Sequence, residues 1–165
     1  MTTATKTAPH AHEYAARLEW TGSRGVGTAD YRSYGREYRI AIDGKPDLTG
    51  SADPAFRGAP GLHNPEDLYL AALSSCHMLA YLALCARQGV RVVEYADHAT
   101  GTLVLNAQGG GSVESVTLRP HVVVADAADA ARALALHDAA HAGCFIASSS
   151  KDIVRHEAVV RVQAP

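Results

Sequence analysis

The side chains best able to act as nucleophiles or to be oxidised in this 165-residue chain are its three cysteines. Cys85 follows Cys76 by nine positions, which places the two on opposite faces of a helix, so they cannot pair. We interpret Cys85, which lies among leucines and alanines, as a core residue. Cys144 follows Gly143, where a helix can end and a thiol can be reached. If Cys76 and Cys144 form a redox pair, one attacks and the other resolves, whereas a Cys76 that acts alone would more simply be a buried core residue.

A reactive thiol near pKa 8.5 needs a positive charge close by to form its thiolate at neutral pH. Arg24, in the glycine-rich turn Thr21–Gly27, is a candidate source of that charge. Glu66 could orient such an arginine through a bidentate ion pair. Alternatively, the only role of Glu66 could be to place a negative charge at the positive, N-terminal end of a helix dipole.

A metal site is an alternative use of some of the same residues. His137, His141 and Cys144 are spaced i, i+4, i+7, which places them on one helix face. Together with Cys76 they would form a four-ligand nitrogen and sulfur set acceptable to zinc. Histidines at this spacing also occur in ordinary packing, so the metal reading stays open. His77 and His141 flank the two cysteines and could carry a proton, or they could be satisfied core residues.

The element that must position Cys76 is a long helix. Asn64 can cap it, Pro65 suits its first turn, and Gly89 predicts its end after about Gln88. Its sequence is apolar almost all round, which is typical of a helix buried on every side. A chain this short has little interior to hide it, so we expect a second subunit to cover part of it.

The remaining periodicity predicts strands before and after this helix, and a second helix. Alternating apolar residues predict strands at 12–20, 28–34, 37–43, 92–105, 114–125 and 153–163, and a helix at 126–142 capped by Asp126. This order predicts an α+β fold with mainly antiparallel sheet. Residues 1–11 have no period and are expected to form a loose tail, which leaves one domain at 12–165.

Composition excludes several classes of protein. The chain is 47% hydrophobic and 19% charged, and 15 Lys and Arg against 17 Asp and Glu give a net charge of −2. These values fit a globular domain and argue against a strongly basic nucleic-acid binder. Three cysteines do not suit a disulfide-stapled secreted scaffold. We find no signal-peptide pattern, and the longest apolar run, Leu68 to Ala86, is interrupted by polar residues, so we expect a cytoplasmic protein without a membrane span.

The sequence resembles the OsmC/Ohr family of thiol-dependent peroxidases from Tyr14 to Val162. The resemblance rests on Asn64-Pro-Glu-Asp-Leu-Tyr-Leu-Ala-Ala-Leu-Ser-Ser-Cys76-His, on the glycine-rich arginine turn, and on His137-Asp-Ala-Ala-His-Ala-Gly-Cys144. The stretches Gly50–Gly58, Cys76–Leu79 and Cys144–Ala147 look like an OsmC-like branch of the family.

This resemblance implies antiparallel sheets packed around central helices in an intertwined homodimer with active sites at the subunit interface. It implies that Cys76 is the peroxidatic thiol, Cys144 the resolving thiol, Arg24 the activating cation with Arg57 as the alternative, and Glu66 the partner of that arginine. The implied substrate is an organic hydroperoxide, and also hydrogen peroxide. No bound cofactor or metal is implied; an external dithiol such as dihydrolipoamide would act as reductant, with no nucleic-acid or membrane partner.

Ten residues separate Glu66 from Cys76, or about 15 Å of rise along a straight helix. We therefore expect either a kinked helix or a Glu66 that serves the partner subunit's site. Two other functions remain open on the sequence: a zinc-binding protein using His137, His141, Cys144 and Cys76, or a small-molecule carrier of the same fold without peroxidase turnover.

Overall fold

The computed structural model describes residues 11–151 and 153–164, so most of the predicted tail lies outside the described residues. The chain divides into two compact units, Met1–Pro65 and Glu66–Pro165. The first unit contains one antiparallel sheet of order β1-β2-β3. Its strands are β1 (Arg17–Trp20), β2 (Tyr38–Ala41) and β3 (Leu48–Gly50).

The first unit differs from the prediction in three ways. The strand predicted at 12–20 shortens to β1, and all four of its residues are exposed in the single chain rather than half-buried. The strand predicted at 28–34 is wrong, because a turn forms there: an Asp30 carboxylate oxygen accepts the Arg32 amide proton at 2.7 Å. Strand β3 lies in a stretch for which no strand was predicted.

The second unit contains the long helix, two further helices and six strands. They are α1 (Pro65–Arg87), β4 (Val92–Asp97), β5 (Thr100–Leu105), β6 (Gly111–Leu118), β7 (Pro120–Val124), α2 (Ala130–Gly143), α3 (Phe145–Ser148), β8 (Val154–His156) and β9 (Val159–Val162). Gly89 has a φ of 71°, the left-handed conformation expected just beyond a helix end. The carboxylate of Asp126 caps a short 3-10 turn that leads into α2.

The six strands form two three-stranded sheets of order β4-β7-β9 and β5-β6-β8. Two pairings, β4 with β7 and β5 with β6, are antiparallel, whereas β8 and β9 join their sheets in parallel. The predicted α+β class is thus confirmed. Each of the three strands predicted after α1 is split, with its first half in one sheet and its second half in the other.

Polar groups mark the seam where the chain crosses between the two sheets. The Asp97 carboxylate at the end of β4 accepts the Arg119 amide proton at 2.6 Å and the Ser74 hydroxyl proton at 2.5 Å. The Arg119 guanidinium in turn pairs with Glu157 at 3.0 Å. These contacts fix the bend where alternation alone would have continued a strand.

Helix α1 packs on both sheets and joins their two cores. Leu73 lies in the core formed with β6 and β8, whereas Tyr81 and Cys85 lie in the core formed with β7 and α2. His77 stands between Leu73 and Tyr81 on the same buried stripe, spaced i, i+4, i+8. The seam between the two apolar cores is therefore occupied by an imidazole.

Helix α1 is also long and apolar enough to cross a membrane on length and composition alone, with a mean hydropathy of 1.6 over its most apolar window. A helix of this kind is weak evidence of a membrane span, so the expectation of none stays a prediction. The core helix of a folded domain meets the same criterion. A buried His77 and the Ser74–Asp97 hydrogen bond are the polar contacts of a helix packed against protein.

Candidate active site

Helix α1 presents Cys76 at the flank of its buried stripe. The Cys76 side chain is half-buried, while the next residue, His77, is fully buried. Leu79, one turn further on, is 63% exposed in the single chain. The Cys76 thiol thus lies at the border between the core and an apolar surface.

Cys144 is brought to Cys76 by the break at the end of α2. The chain leaves the helix at Gly143, and Cys144 adopts an extended conformation with φ −78° and ψ 109°. Its sulfur then accepts the Ala147 amide proton at 3.4 Å and caps α3. In this position the Cys144 side chain is 1% exposed and hydrogen-bonds with that of Cys76. The predicted proximity of the two cysteines is thus present in the structure, and both are free thiols.

The two thiols of this pair are not equivalent. Burial, followed by the hydrogen bond with Cys76, raises the pKa of Cys144 to about 11. Cys76 is the more accessible of the two.

Cys85 is separate from the pair, as expected from its position on the helix. It is 1% exposed and belongs to the core around Tyr81 and α2. Burial raises its pKa, which keeps it as an unreactive thiol.

A cluster of four histidines lies between α1, α2 and β8, and we call it the histidine cluster (His77, His137, His141 and His156). The His77 Nε2 and His137 Nδ1 atoms are 3.0 Å apart, and both side chains are fully buried. Desolvation, followed by the neighbouring histidines, lowers the pKa of His77 to about 4 and that of His137 to about 3. His77 and His137 are therefore uncharged at neutral pH.

The zinc set considered from the sequence is not assembled. His137 bonds to His77, and Cys144 faces Cys76. Within residues 11–151 and 153–164, no three His, Cys, Asp or Glu side chains converge in a way that could hold a metal ion. The sequence pattern also missed His156, because it comes from a strand and shares no helical spacing with the others.

The two arginines and the glutamate predicted to activate the Cys76 thiol lie in three different parts of the structure. Arg24 has a φ of 52°, and its guanidinium lies 3.6 Å from Glu37 within the first unit. Arg57 is also in the left-handed region, with a φ of 67°, and follows a 3-10 turn. Glu66 lies in the first turn of α1 and lines a small pocket of about 60 Å³. Because α1 is one uninterrupted α-helix, Glu66 is about 15 Å along its axis from Cys76.

The sequence profile of the OsmC-like protein family matches residues 58–158, more than half of the chain, including both cysteines of the pair. The chain belongs to the OsmC-like protein family. No curated protein sequence matches it at a significant level.

Solved structures agree with this assignment. An OsmC-like protein of unknown function from Vibrio cholerae is 33% identical, with a TM-score of 0.80 over 90% of this chain and 100% of the other. The organic hydroperoxide resistance protein OhrB of Bacillus subtilis is 22% identical, with a TM-score of 0.59 over 90% and 98% of the two chains. An organic hydroperoxide resistance protein from Legionella pneumophila is 17% identical, with a TM-score of 0.63 over 92% and 98%. The last two show that this OsmC-like protein shares their fold.

Proposed function

We propose that this OsmC-like protein is a two-cysteine thiol peroxidase that reduces organic hydroperoxides, and also hydrogen peroxide, in oxidative-stress defence. The observation that carries the proposal is the contact between the half-buried Cys76 and the fully buried, protonated Cys144. The family includes organic hydroperoxide resistance proteins, which favours hydroperoxides as the substrate class. The presence of free thiols fits a reducing cytoplasm.

The two cysteines differ in the way that such a reaction requires. The Cys76 thiolate attacks the terminal peroxide oxygen, the O–O bond breaks, and an alcohol or water leaves with one proton. Cys76 becomes a sulfenic acid. The Cys144 sulfur then attacks the Cys76 sulfur, the S–O bond breaks, and water leaves as the disulfide forms. An external dithiol such as dihydrolipoamide restores both thiols by exchange.

An arginine would stabilise the Cys76 thiolate and the negative charge that develops on the leaving oxygen. Arg24 is our candidate, with Arg57 as the alternative and Glu66 as the carboxylate that orients the guanidinium. Since Glu66 is about 15 Å along α1 from Cys76 in the same chain, we propose that it serves the site of a second subunit.

We propose a homodimer because Glu66 needs the site of a second subunit and because α1 leaves an apolar face exposed in the single chain. Only 22% of the most apolar window of α1 is buried in the single chain, and Leu79 is 63% exposed beside Cys76. A second copy of this chain is the occupant that would both cover this apolar face and bring Glu66 to Cys76.

The test is a thiol count and an intact mass before and after one equivalent of tert-butyl hydroperoxide. We expect two thiols and about 2 Da to be lost, with the new disulfide mapped to Cys76 and Cys144. Cys76→Ser should abolish turnover, and Cys144→Ser should stop at the sulfenic acid. Cys85→Ala is the matched control and should lose the same two thiols as the wild type. Survival of all three thiols after prolonged exposure would contradict the proposal.

A further inference from the structure

The hydrogen bond between His77 and His137 lies outside the chemical steps at the two cysteines. It joins Nε2 of His77 to Nδ1 of His137 at 3.0 Å, with the ring planes 6° apart and both side chains fully buried. The outer nitrogens of the two rings, His77 Nδ1 and His137 Nε2, are buried without a hydrogen-bond partner. Burial of unpaired polar atoms costs free energy, which apolar side chains of similar volume would not. Stability alone therefore does not account for two imidazoles at this place.

This hydrogen bond is close in sequence to the cysteine pair on both helices. His77 directly follows Cys76 on α1, and Cys144 follows His137 by seven positions, or two turns of α2. Residues seven positions apart lie on one face of a helix, so α2 turns His137 and the chain that carries Cys144 towards the same neighbour. Helix α1 and the α2 segment thus meet at two polar contacts, Cys76 with Cys144 and His77 with His137.

The packing between α1 and α2 around the histidine pair is apolar. Ala133, Leu136 and Ala140 of α2 lie in one core with Tyr81 and Cys85 of α1. Contacts between apolar side chains are not directional, so by themselves they allow small shifts of one helix against the other. A buried hydrogen bond requires one distance and one direction, and it therefore fixes the position of α2 on α1.

The His137 ring is itself held in place by Tyr81. The two rings stack with their centroids 3.9 Å apart and their planes 10° apart. Tyr81 lies one turn after His77 on α1, so this helix contacts His137 at the ring edge through His77 and at the ring face through Tyr81. A shift of α2 along α1 would break one of these two contacts.

We propose that the hydrogen bond between His77 and His137, which we call the histidine link, holds Cys144 in position to form a disulfide with Cys76. In this role the two histidines are positioning residues and act through the helices that carry them. The inference rests on the proposed redox pairing of the two cysteines. It assigns the link a task that apolar side chains cannot perform, because they would fill the space without fixing the helices.

The histidine link is needed most after Cys76 has been oxidised. In the reduced protein the two thiols are held partly by their own hydrogen bond, which ends when the Cys76 sulfur takes up an oxygen. The histidine link contains neither sulfur, so it persists through this step. It then keeps the Cys144 sulfur opposite Cys76 while the S–O bond breaks and the S–S bond of about 2.05 Å forms. A fixed position of this kind raises the effective concentration of one sulfur at the other.

The experiment measures how readily the disulfide between Cys76 and Cys144 forms in mixtures of reduced and oxidised glutathione at pH 7. Oxidised glutathione takes up two electrons and two protons from the thiols and becomes two molecules of reduced glutathione. The mixture in which half of the protein is oxidised gives the effective concentration of the two thiols. This measurement does not depend on peroxidase turnover, so failure of the link and failure of the proposed peroxidase are distinguishable.

Variants matched in shape isolate the hydrogen bond. In His137→Asn an amide atom takes the place of Nδ1, whereas His137→Leu has the same branching without a polar atom. We expect the effective concentration to stay within about threefold of the wild-type value in His137→Asn and to fall at least about tenfold in His137→Leu. His77→Gln and His77→Met form a second pair, since the Gln amide extends as far as Nε2. Leu136→Ala, the control, weakens the packing of α2 without removing the link, and should change the value less than about threefold.

Equal effective concentrations in His137→Asn and His137→Leu would overturn the histidine link. A loss in Leu136→Ala as large as that in His137→Leu would also overturn it, because any loosening of α2 would then have the same effect.

The wild type decides if the histidine variants do not fold, as judged by circular dichroism. In ¹H–¹⁵N spectra of protein with ¹⁵N-labelled histidine, the proton shared by His77 and His137 should exchange slowly with solvent in both the dithiol and the disulfide forms. Its loss from the disulfide form would overturn the link. A wild type that forms the disulfide with glutathione but not with tert-butyl hydroperoxide would instead overturn the peroxidase and leave the link standing.

Discussion

The Nε2 atom of His77 and the Nδ1 atom of His137 lie 3.0 Å apart, between two helices and with no solvent contact. This hydrogen bond ties α1 to α2 one residue away from Cys76. Tyr81 supports it from one side, since its ring stacks on His137 with centroids 3.9 Å apart. The hydrogen bond between these two neutral rings joins α1 to α2 beside the cysteine pair. Because burial disfavours a charge on either ring, the stability of the fold depends on pH.

Acid should unfold this protein well above the pH at which the buried histidines themselves titrate. In the folded state the pKa of His77 is about 4 and that of His137 about 3, against 6.5 when unfolded. The unfolded chain therefore binds more protons as the pH falls below 6.5, and stability is lost from there down to the folded-state pKa values. We expect the free energy of unfolding to fall by about 2 kcal/mol for each histidine between pH 7 and pH 5.

The measurement for this pH effect is urea denaturation at a series of pH values. His121→Gln, which removes an exposed histidine, should leave the slope against pH unchanged. His137→Leu should reduce the slope if the variant folds. Equal free energies of unfolding at pH 7 and pH 5 for the wild type would contradict the prediction.

The identity of the activating arginine can be decided with a matched pair of variants. Arg24 and Arg57 are both exposed and both have a positive φ, so alanine imposes similar backbone strain at either position. We expect Arg24→Ala to slow sulfenic acid formation by about a hundredfold, through loss of a charge near the reacting oxygen. Arg57→Ala should change it less than about twofold. The reverse order would assign the role to Arg57.

Core and surface leucines of α1 should differ sharply in their effect on stability. Leu73 has no solvent exposure and packs against Val116 and Leu118, so Leu73→Ala should cost about 2–5 kcal/mol of unfolding free energy. Leu79→Ala should cost less than about 0.5 kcal/mol in the monomeric chain, because this side chain is mostly exposed. Thermal denaturation at low protein concentration would compare the two. Similar costs would mean that Leu79 is buried by something outside the single chain even at that dilution.

A charge at Leu79 tests the proposed homodimer. Leu79→Asp places a carboxylate on the apolar face of α1, which a second copy would have to desolvate. We expect the wild type to have the mass of two chains by light scattering and the variant the mass of one. A wild-type protein that stays monomeric at high micromolar concentration would contradict the dimer and leave Glu66 without a site.

The sequence allowed α1 to be predicted well, because helix signals are local, whereas the redox roles of Cys76 and Cys144 stay predictions. The proline at its first turn, Gly89 at its end and the face of Cys76 all follow from spacing within one element. The break at Gly143 that frees Cys144 is likewise local. The pairing of the arginine with Glu66 stays a prediction, and Glu37 is the carboxylate beside Arg24 in this chain.

The split of the later strands could not be predicted, because alternation of apolar residues continues through each bend. The bend after β4 depends on hydrogen bonds from Arg119 and Ser74 to Asp97, which join residues distant in the sequence. His156 was missed for the same reason. It reaches the cluster only because β8 pairs in parallel with β6, a contact that no local pattern encodes.

The parallel strands β8 and β9 follow the other described strands in sequence, and each completes one of the two sheets. A ribosome therefore synthesises β4 to β7 before either sheet of the second unit can close. Until then the edges of β6 and β7, together with the apolar helix α1, stay unprotected, and such edges readily join other chains. Both sheets of the second unit should thus close late in folding, and a substitution that weakens the pairing of β8 or β9 should leave a chain that depends on chaperones.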